Sequence, residues 1–523
     1  MASQSHIAEA GAGTAAAAAE GRERFFRTDH LKADLAGRTA RGGAVMVAAQ
    51  GTKFVVNMVS AAVLARLLTP QDYGLVAMVA VFTNFTHLFR NLGLSAATMQ
   101  RAEVSDRQVS TLFWVNVALS LVTVAATAAC APLIAAFYGE PRLVGITLGL
   151  AAGFVFSGLS VQHQALLKRQ MRFAALGAVD VGAMVAGLLT GVTLAWYGAG
   201  YWALVGSQVA IAVAYAAGVW AACGWRPGLP ARGSGVRSMI AFGGNLTGYN
   251  LLNYFSRNTD NLLIGRVWGA PQLGLYSRAY QLLLLPLDQV CAPLDGVAVT
   301  ALSRLTDEPE RYRQAYLRIL EKVAMLTMPG TALMIAAADW LVRVMLGAQW
   351  AETGRIFGVL GFVGLLEPVS ISVGWLLISQ GRARDVLRWG VIDSTLSVAS
   401  IVAGLAWGAL GVAAAYSAVG LFVRKPLLFW FACRRGPVRL ADFYRAVFPS
   451  ACAALLTLAA VFAFRAWADG MKPWAGLLAC LPIAAAVSLT AFLVLPSGRR
   501  ALADVKNMLP LLLKKRAPAE KPL

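Results

Sequence analysis

SRNTDNLLIGRVWGAPQLGLYSRAYQLLLLPLDQV, residues Ser256–Val290, is the stretch on which the reading of this chain turns. It places Arg257, Asp260, Arg266, Arg278 and Asp288 inside or beside two apolar segments. Charged side chains at membrane depth are costly and usually face a bundle interior or a water-filled path. Arg257, Asp260, Asn261 and Ile264 recur at three- and four-residue spacing, which puts the polar three on one helical face. Tyr249 and Asn253 extend that face. Arg257 and Asp260 can pair across one helical turn, and an arginine fork also suits bidentate contact with a phosphate. Two readings follow: an ion pair that fixes helix packing, or a charged lining to a cavity, with the cavity preferred for Arg257 and Asp260. For Arg266 and Arg278, snorkelling to the membrane interface is an equal alternative. Asp288 and Asp295 share one face of the following segment.

The chain around this stretch is apolar from end to end. It has 523 residues, 58% of them hydrophobic and 14% charged, with a mean hydropathy of +0.62. Soluble domains carry about 25% charged residues, so the composition is that of a membrane protein. The net charge of +20 is dispersed in short clusters between apolar runs, which argues for topogenic charge rather than nucleic-acid binding. Six cysteines without CxxC spacing read as small packing residues. Spans need about 20 apolar residues each, and the windows predict about fourteen helices, at roughly 43–65, 75–97, 109–131, 143–165, 174–196, 201–222, 239–264, 272–299, 317–338, 355–378, 389–407, 411–431, 447–467 and 474–496. Residues 1–42 are a low-complexity tail and 498–523 a basic one.

With the N-terminus in the cytoplasm, alternation gives the cytoplasmic side nearly all the Lys and Arg, including Lys168–Arg172, Arg304–Lys322, Arg382–Arg388, Arg424, Lys425 and the tail from Arg499. This is the positive-inside pattern, and it predicts both termini in the cytoplasm. An internal repeat supports the count. Arg66-Leu-Leu-Thr-Pro-Gln-Asp-Tyr-Gly74-Leu75 matches Arg266-Val-Trp-Gly-Ala-Pro-Gln-Leu-Gly274-Leu275 at Arg, Gly and Leu with a fixed offset, and Tyr197–Gly200 has a weaker counterpart in Trp407–Leu410. Six spans separate the copies, so both halves share one orientation, as in parallel-repeat transporters. The predicted fold is an all-α polytopic membrane protein: a first lobe at 43–237, a second at 238–436, and two further helices at 437–497.

Single polar residues in the spans carry two readings each. Asn57 and Asn116 are interhelical hydrogen-bond formers or substrate contacts. Gln162-His163-Gln164 marks the inner end of the fourth span as interfacial polarity. Asp180 is neutral or paired. Glu367, beside the helix-bending Pro368, is a better cavity candidate than the prolines alone. Leu302–Lys322 is expected as an amphipathic helix at the cytoplasmic surface. The chain has no GxxxxGK[ST] loop and no HExxH, so an ATP-driven pump and a zinc enzyme are disfavoured and no cofactor is expected. The inter-span loops are too short to hold a catalytic domain.

LARLLTPQDYGLVAM, NLGLSAATMQR, the Ser256–Val290 stretch and ALSRLTDEPERYRQAYLR together resemble the bacterial polysaccharide transporter family, the Wzx-like flippases of the multidrug/oligosaccharidyl-lipid/polysaccharide export superfamily. The resemblance covers roughly residues 40–440. It implies two six-helix lobes in a V-shaped bundle in the bacterial inner membrane, moving an undecaprenyl-diphosphate-linked oligosaccharide from the cytoplasmic to the periplasmic leaflet by alternating access. It implies no enzymatic step. Membrane lipids, a glycan polymerase and glycosyltransferases would be its partners, with a coupling ion, proton or sodium, left open. Arg257 is the basic cavity residue carried over, with Asp260 and Asn261 beside it. An ion-coupled multidrug exporter of the same architecture and a membrane glycan polymerase or ligase are the alternatives.

Overall fold

The computed structural model describes residues 35–90, 105–230, 237–468, 470–496, 498–500 and 502–504, with the side chains of 35–44, 86–90, 237–253 and 255–257 outside the described set. Among the described residues every regular element is helical. The order is α1 Leu35–Leu67, α2 Pro70–Arg90, α3 Asp106–Tyr138, α4 Arg142–Arg169, α5 Phe173–Trp196 and α6 Trp202–Cys223. A long element, Arg237–Ser303, is broken at Gly269 (φ 77°) into α7, 237–268, and α8, 270–303. There follow α9 Pro309–Ala336, α10 Ala348–Ser379, α11 Ala383–Gly404, α12 over 408–433, α13 Leu440–Trp467 and α14 Pro473–Val494. Eleven described segments are long and apolar enough to cross a membrane. Gly269 and Gly408 divide two of them into helix pairs, and α2 completes the set of fourteen anticipated from the apolar windows.

Two of these helices are irregular. α10 is interrupted after Gly364 and restarts at Glu367, with Pro368 in its first turn, where the missing N–H is harmless. α12 contains a π-helical turn at Gly420–Arg424. Local chemistry sets other ends. Ser105 and Gln108 form a reciprocal capping box at the start of α3, and Gly139 (φ 69°) closes it. Thr69 and Asp72 do the same for α2: the Thr69 N–H donates to Asp72 Oδ2 at 2.9 Å and the Asp72 N–H to Thr69 Oγ1 at 3.3 Å.

The chain divides into two compact units, 1–271 and 272–523. The first packs α3, α4 and α6 through Phe113, Leu166, Leu167, Val219 and Trp225. Small residues let its helices approach closely: a Cβ at Gly187 would run into Ile211, and one at Gly158 into Ser120. The second has its core where α9 meets α10, α12 and α13, with Tyr312, Tyr316, Trp375, Phe429 and Phe443 all buried. The charged Leu302–Lys322 segment has the anticipated amphipathic pattern: Tyr312, Tyr316 and Leu320 turn inward while Arg311 is 70% exposed and pairs with Glu308.

The repeat is visible in the backbone as well as the sequence. The α1–α2 break at Thr69 and the α7–α8 break at Gly269 fall at equivalent positions of the two copies. Gly198 and Gly408 likewise correspond and share φ 75°, and Met171 (φ 53°) corresponds to Gly381 (φ 67°) at the same spacing along the chain. Arg172 Nη1 donates to the carbonyl of Ala222 at 2.8 Å, and Arg382 Nη1 to that of Ala432 at 2.9 Å, both partners being displaced by that same spacing. A duplicated hydrogen bond between duplicated positions is far harder to obtain by chance than a short sequence match.

Candidate functional site

Of the polar face anticipated on α7, the side chains of Asp260 and Asn261 are described, and those of Tyr249, Asn253 and Arg257 lie outside the described residues. Asp260 is 6% exposed, and its Oδ1 accepts the backbone N–H of Asn261 at 2.8 Å. The Asn261 Oδ1 is buried and accepts no hydrogen bond among the described residues. One turn earlier, Tyr254 donates to the carbonyl of Val81 in α2 at 2.6 Å, and Asn258 donates back to the carbonyl of Tyr254 at 2.9 Å. A polar ladder on α7 is thus tied to α2 within the first unit. The side chains of Arg257 and Asn253 lie outside the described residues, and with them the expected Arg257–Asp260 pair.

The other anticipated residues fall in different settings. Arg266 is exposed, with its guanidinium 5.8 Å from the ring centre of Phe137, a cation–π contact at the end of a span. In α8, Arg278 is half-buried and Asp288 exposed, while Asp295 accepts the indole N–H of Trp375 at 2.6 Å. Asn57 is exposed on α1. Asn116 is buried and donates to the carbonyl of Leu112 in its own helix at 2.9 Å, the local back-bonding typical of short polar side chains.

Ion pairs cross between helices within the apolar segments. Lys53 of α1 meets Asp180 of α5 at 3.0 Å, so Asp180 is paired. Lys425 of α12 meets Glu367, at the restart of α10, at 2.7 Å. Arg424 grips Asp393 of α11 through Nε and Nη2, both at 3.0 Å, with the Tyr416 ring 4.8 Å from the guanidinium. Arg424 and Lys425 correct the charge count made from the sequence. They are not loop residues: both are buried within α12, and the helix runs on past Lys425 to Cys433. The signal was present, since LeuPheVal precedes them and ProLeuLeuPheTrpPhe follows within one apolar run. Both α12 pairs sit where helices are irregular, at the π turn and at the α10 interruption, and π turns recur at functional positions.

His163 also differs from its expected interfacial setting. α4 continues to Arg169, so His163 is 0% exposed, stacked on Trp220 at 4.4 Å, edge-on to Phe113, and within 3.2 Å of the carbonyl of Trp225. It is an aromatic core residue.

Residues 63–355, more than half of the chain, match the polysaccharide biosynthesis protein family. The chain belongs to that family. Among curated relatives, it is 26% identical over 360 residues to the lipopolysaccharide biosynthesis protein WzxC of Escherichia coli, covering 68% of this chain and 73% of that protein. It is 23% identical over 364 residues to the succinoglycan biosynthesis transport protein ExoT of Rhizobium meliloti, covering 68% and 72%. Among solved structures, the lipid II flippase MurJ in an inward closed conformation superimposes with a TM-score of 0.67 at 13% identity, over 86% of this chain and 98% of that one. At that identity the likeness is one of fold: a polytopic helical transporter architecture. This member of the polysaccharide biosynthesis family is therefore a multi-pass membrane protein with the fold of that flippase, the architecture that the resemblance read from its motifs implied.

Proposed function

We propose that this protein flips an undecaprenyl-diphosphate-linked oligosaccharide from the cytoplasmic to the periplasmic leaflet of the bacterial inner membrane, by alternating access and without breaking a bond. The observation that carries the proposal is family membership in a chain that is almost wholly membrane helix, with a buried carboxylate and an unsatisfied amide on α7. Relatives named for polysaccharide synthesis and transport support the class of cargo. Arg257 and Arg266 are the groups to hold the diphosphate, by the geometry that makes guanidinium a good phosphate partner, and Arg278 is a further basic candidate in the same stretch of sequence. Asp260, Asn261 and Asn253 shape the same face of α7; Asp288, Asn57, Asn116 and Glu367 line or flank the path. The lipid tail stays in the bilayer while the head group passes the protein interior. Both termini lie in the cytoplasm, and a proton or sodium gradient, or consumption of the product by a polymerase outside, drives the net flux.

The test is reconstitution into vesicles with an undecaprenyl-diphosphate oligosaccharide, scoring its appearance in the opposite leaflet. Arg257→Ala is expected to reduce flipping at least tenfold while the protein inserts and elutes as the parent does. Flipping at the parental rate would remove Arg257 from the mechanism. Wild-type vesicles that move a cationic drug but not the lipid would replace the proposal with the exporter reading.

A further inference from the structure

The first unit has a half-open cavity of about 500 Å³ between α2, α4 and α6, in the size range of small-molecule sites. Among the described residues its lining contains no Asp, Glu, Lys, Arg or His. It is rich instead in amides and hydroxyls: Asn84 from α2, Ser157 and Gln164 from α4, Gln208 and Tyr215 from α6, with Phe154 as an aromatic wall. Gln164 is already engaged, its Nε2 donating to the Tyr215 hydroxyl. The amides of Asn84 and Gln208 and the hydroxyl of Ser157 bond to no described residue. Asn84 and Gln208 are exposed and Ser157 half-buried, so their polar groups are open to a polar occupant, where lipid alone would leave them unsatisfied. An amide presents donors and an acceptor together, and a hydroxyl does the same, which matches the donor–acceptor pattern of a vicinal diol. An ionic cargo would find no counter-charge among the described lining residues, and an apolar one would leave the amides unmet.

We propose that this cavity holds neutral sugar of the cargo: the amides of Asn84 and Gln208 and the Ser157 hydroxyl bond ring hydroxyls, and Phe154 and Tyr215 pack on a sugar face. The inference rests on the flippase reading and divides the labour within it. The diphosphate is held by arginines of the Ser256–Val290 stretch, and the glycan is held by uncharged groups of α2, α4 and α6.

The experiment uses the full chain in nanodiscs made with sugar-free lipid, and two probes: undecaprenyl diphosphate bearing one glucose or galactose, and bare undecaprenyl diphosphate. Binding is read by tryptophan fluorescence. The parent is expected to bind a sugar-bearing probe about tenfold tighter than the bare one. Asn84→Leu/Gln208→Leu is expected to bind the two equally, with affinity for the bare probe unchanged. A sugar preference that survives the double substitution, or a parent with no preference for either sugar, overturns the cavity assignment and leaves the flippase reading standing. A parent that binds neither probe overturns the flippase reading itself. As a check that does not depend on the variant folding, a diazirine-bearing glucose probe is crosslinked to the parent. Labelled peptides from α2, α4 or α6 support the assignment, and labelling confined to other helices refutes it.

Discussion

The Arg424–Asp393 pair makes an unequal prediction, because its two halves are unequally buried. The Arg424 side chain is 5% exposed and that of Asp393 36%. Asp393→Ala strands a guanidinium in the packed interior of α12, with Tyr416 against it. Deleting one partner of a buried pair costs about 3–5 kcal/mol, while replacing both by apolar groups is often neutral. The expected loss for Asp393→Ala is therefore about 3 kcal/mol, the low end of that range. Arg424→Leu leaves a carboxylate that water reaches, so its cost falls to about 1–2 kcal/mol, made up of a weak exposed-type pair and the lost cation–π contact. The double variant should be more stable than Asp393→Ala alone, since leucine fills the space without a charge to satisfy. Unfolding of the purified protein in detergent, followed by tryptophan fluorescence for the parent, both singles and the double, completes the cycle. Single-variant losses that simply add in the double would refute the reasoning, as would an Asp393→Ala protein as stable as its parent.

Three further outcomes are expected. Gly74→Val drives a side chain into the backbone of Ala270, which cannot yield as a side-chain tip would, and should lower stability by about 1–3 kcal/mol in the same unfolding assay; a neutral result would deny the contact between the two repeated junctions. Met171→Gly should gain roughly 1 kcal/mol and Gly381→Met lose a similar amount, because both positions hold the left-handed conformation that costs a side chain about that much; opposite signs at equivalent places in the repeat are the signature to look for. A fluorescent protein fused after Leu523 should fold and emit, and an alkaline phosphatase fused there should stay inactive, if the basic tail is cytoplasmic; the reverse pattern would invert the topology.

The helix count, the repeat and the family were legible because they rest on properties local to the chain. Apolar length sets the number of spans, and glycine at 269 and 408 marks where helices break. The pairs of α12 were not legible in the same way. Counting charge by side treats any Lys or Arg near a span end as loop, and the partners of Arg424 and Lys425 stand 31 and 58 residues upstream on other helices. Nothing in a linear reading brings them together. His163 was misplaced for a related reason. Its span was ended early because polar residues cluster there, whereas the two tryptophans that bury it come from the end of α6 and the segment after it. The amides of the α2–α4–α6 cavity are scattered along the chain from Asn84 to Gln208, and singly each looks like ordinary interhelical polarity.

The ion pairs also narrow where an anionic head group can bind. A diphosphate needs cations whose charge is not already answered. Lys53, Arg424 and Lys425 each face a carboxylate at 3.0 Å or less, so a phosphate arriving there would have to displace a tethered competitor present at high effective concentration. The described lining of the cavity in the first unit holds no cation. Ser256–Val290 differs from both: it carries three arginines, Arg257, Arg266 and Arg278, against two carboxylates, Asp260 and Asp288, an excess of one positive charge. On the proposed flippase reading, that excess of positive charge is what the stretch would offer an anionic head group.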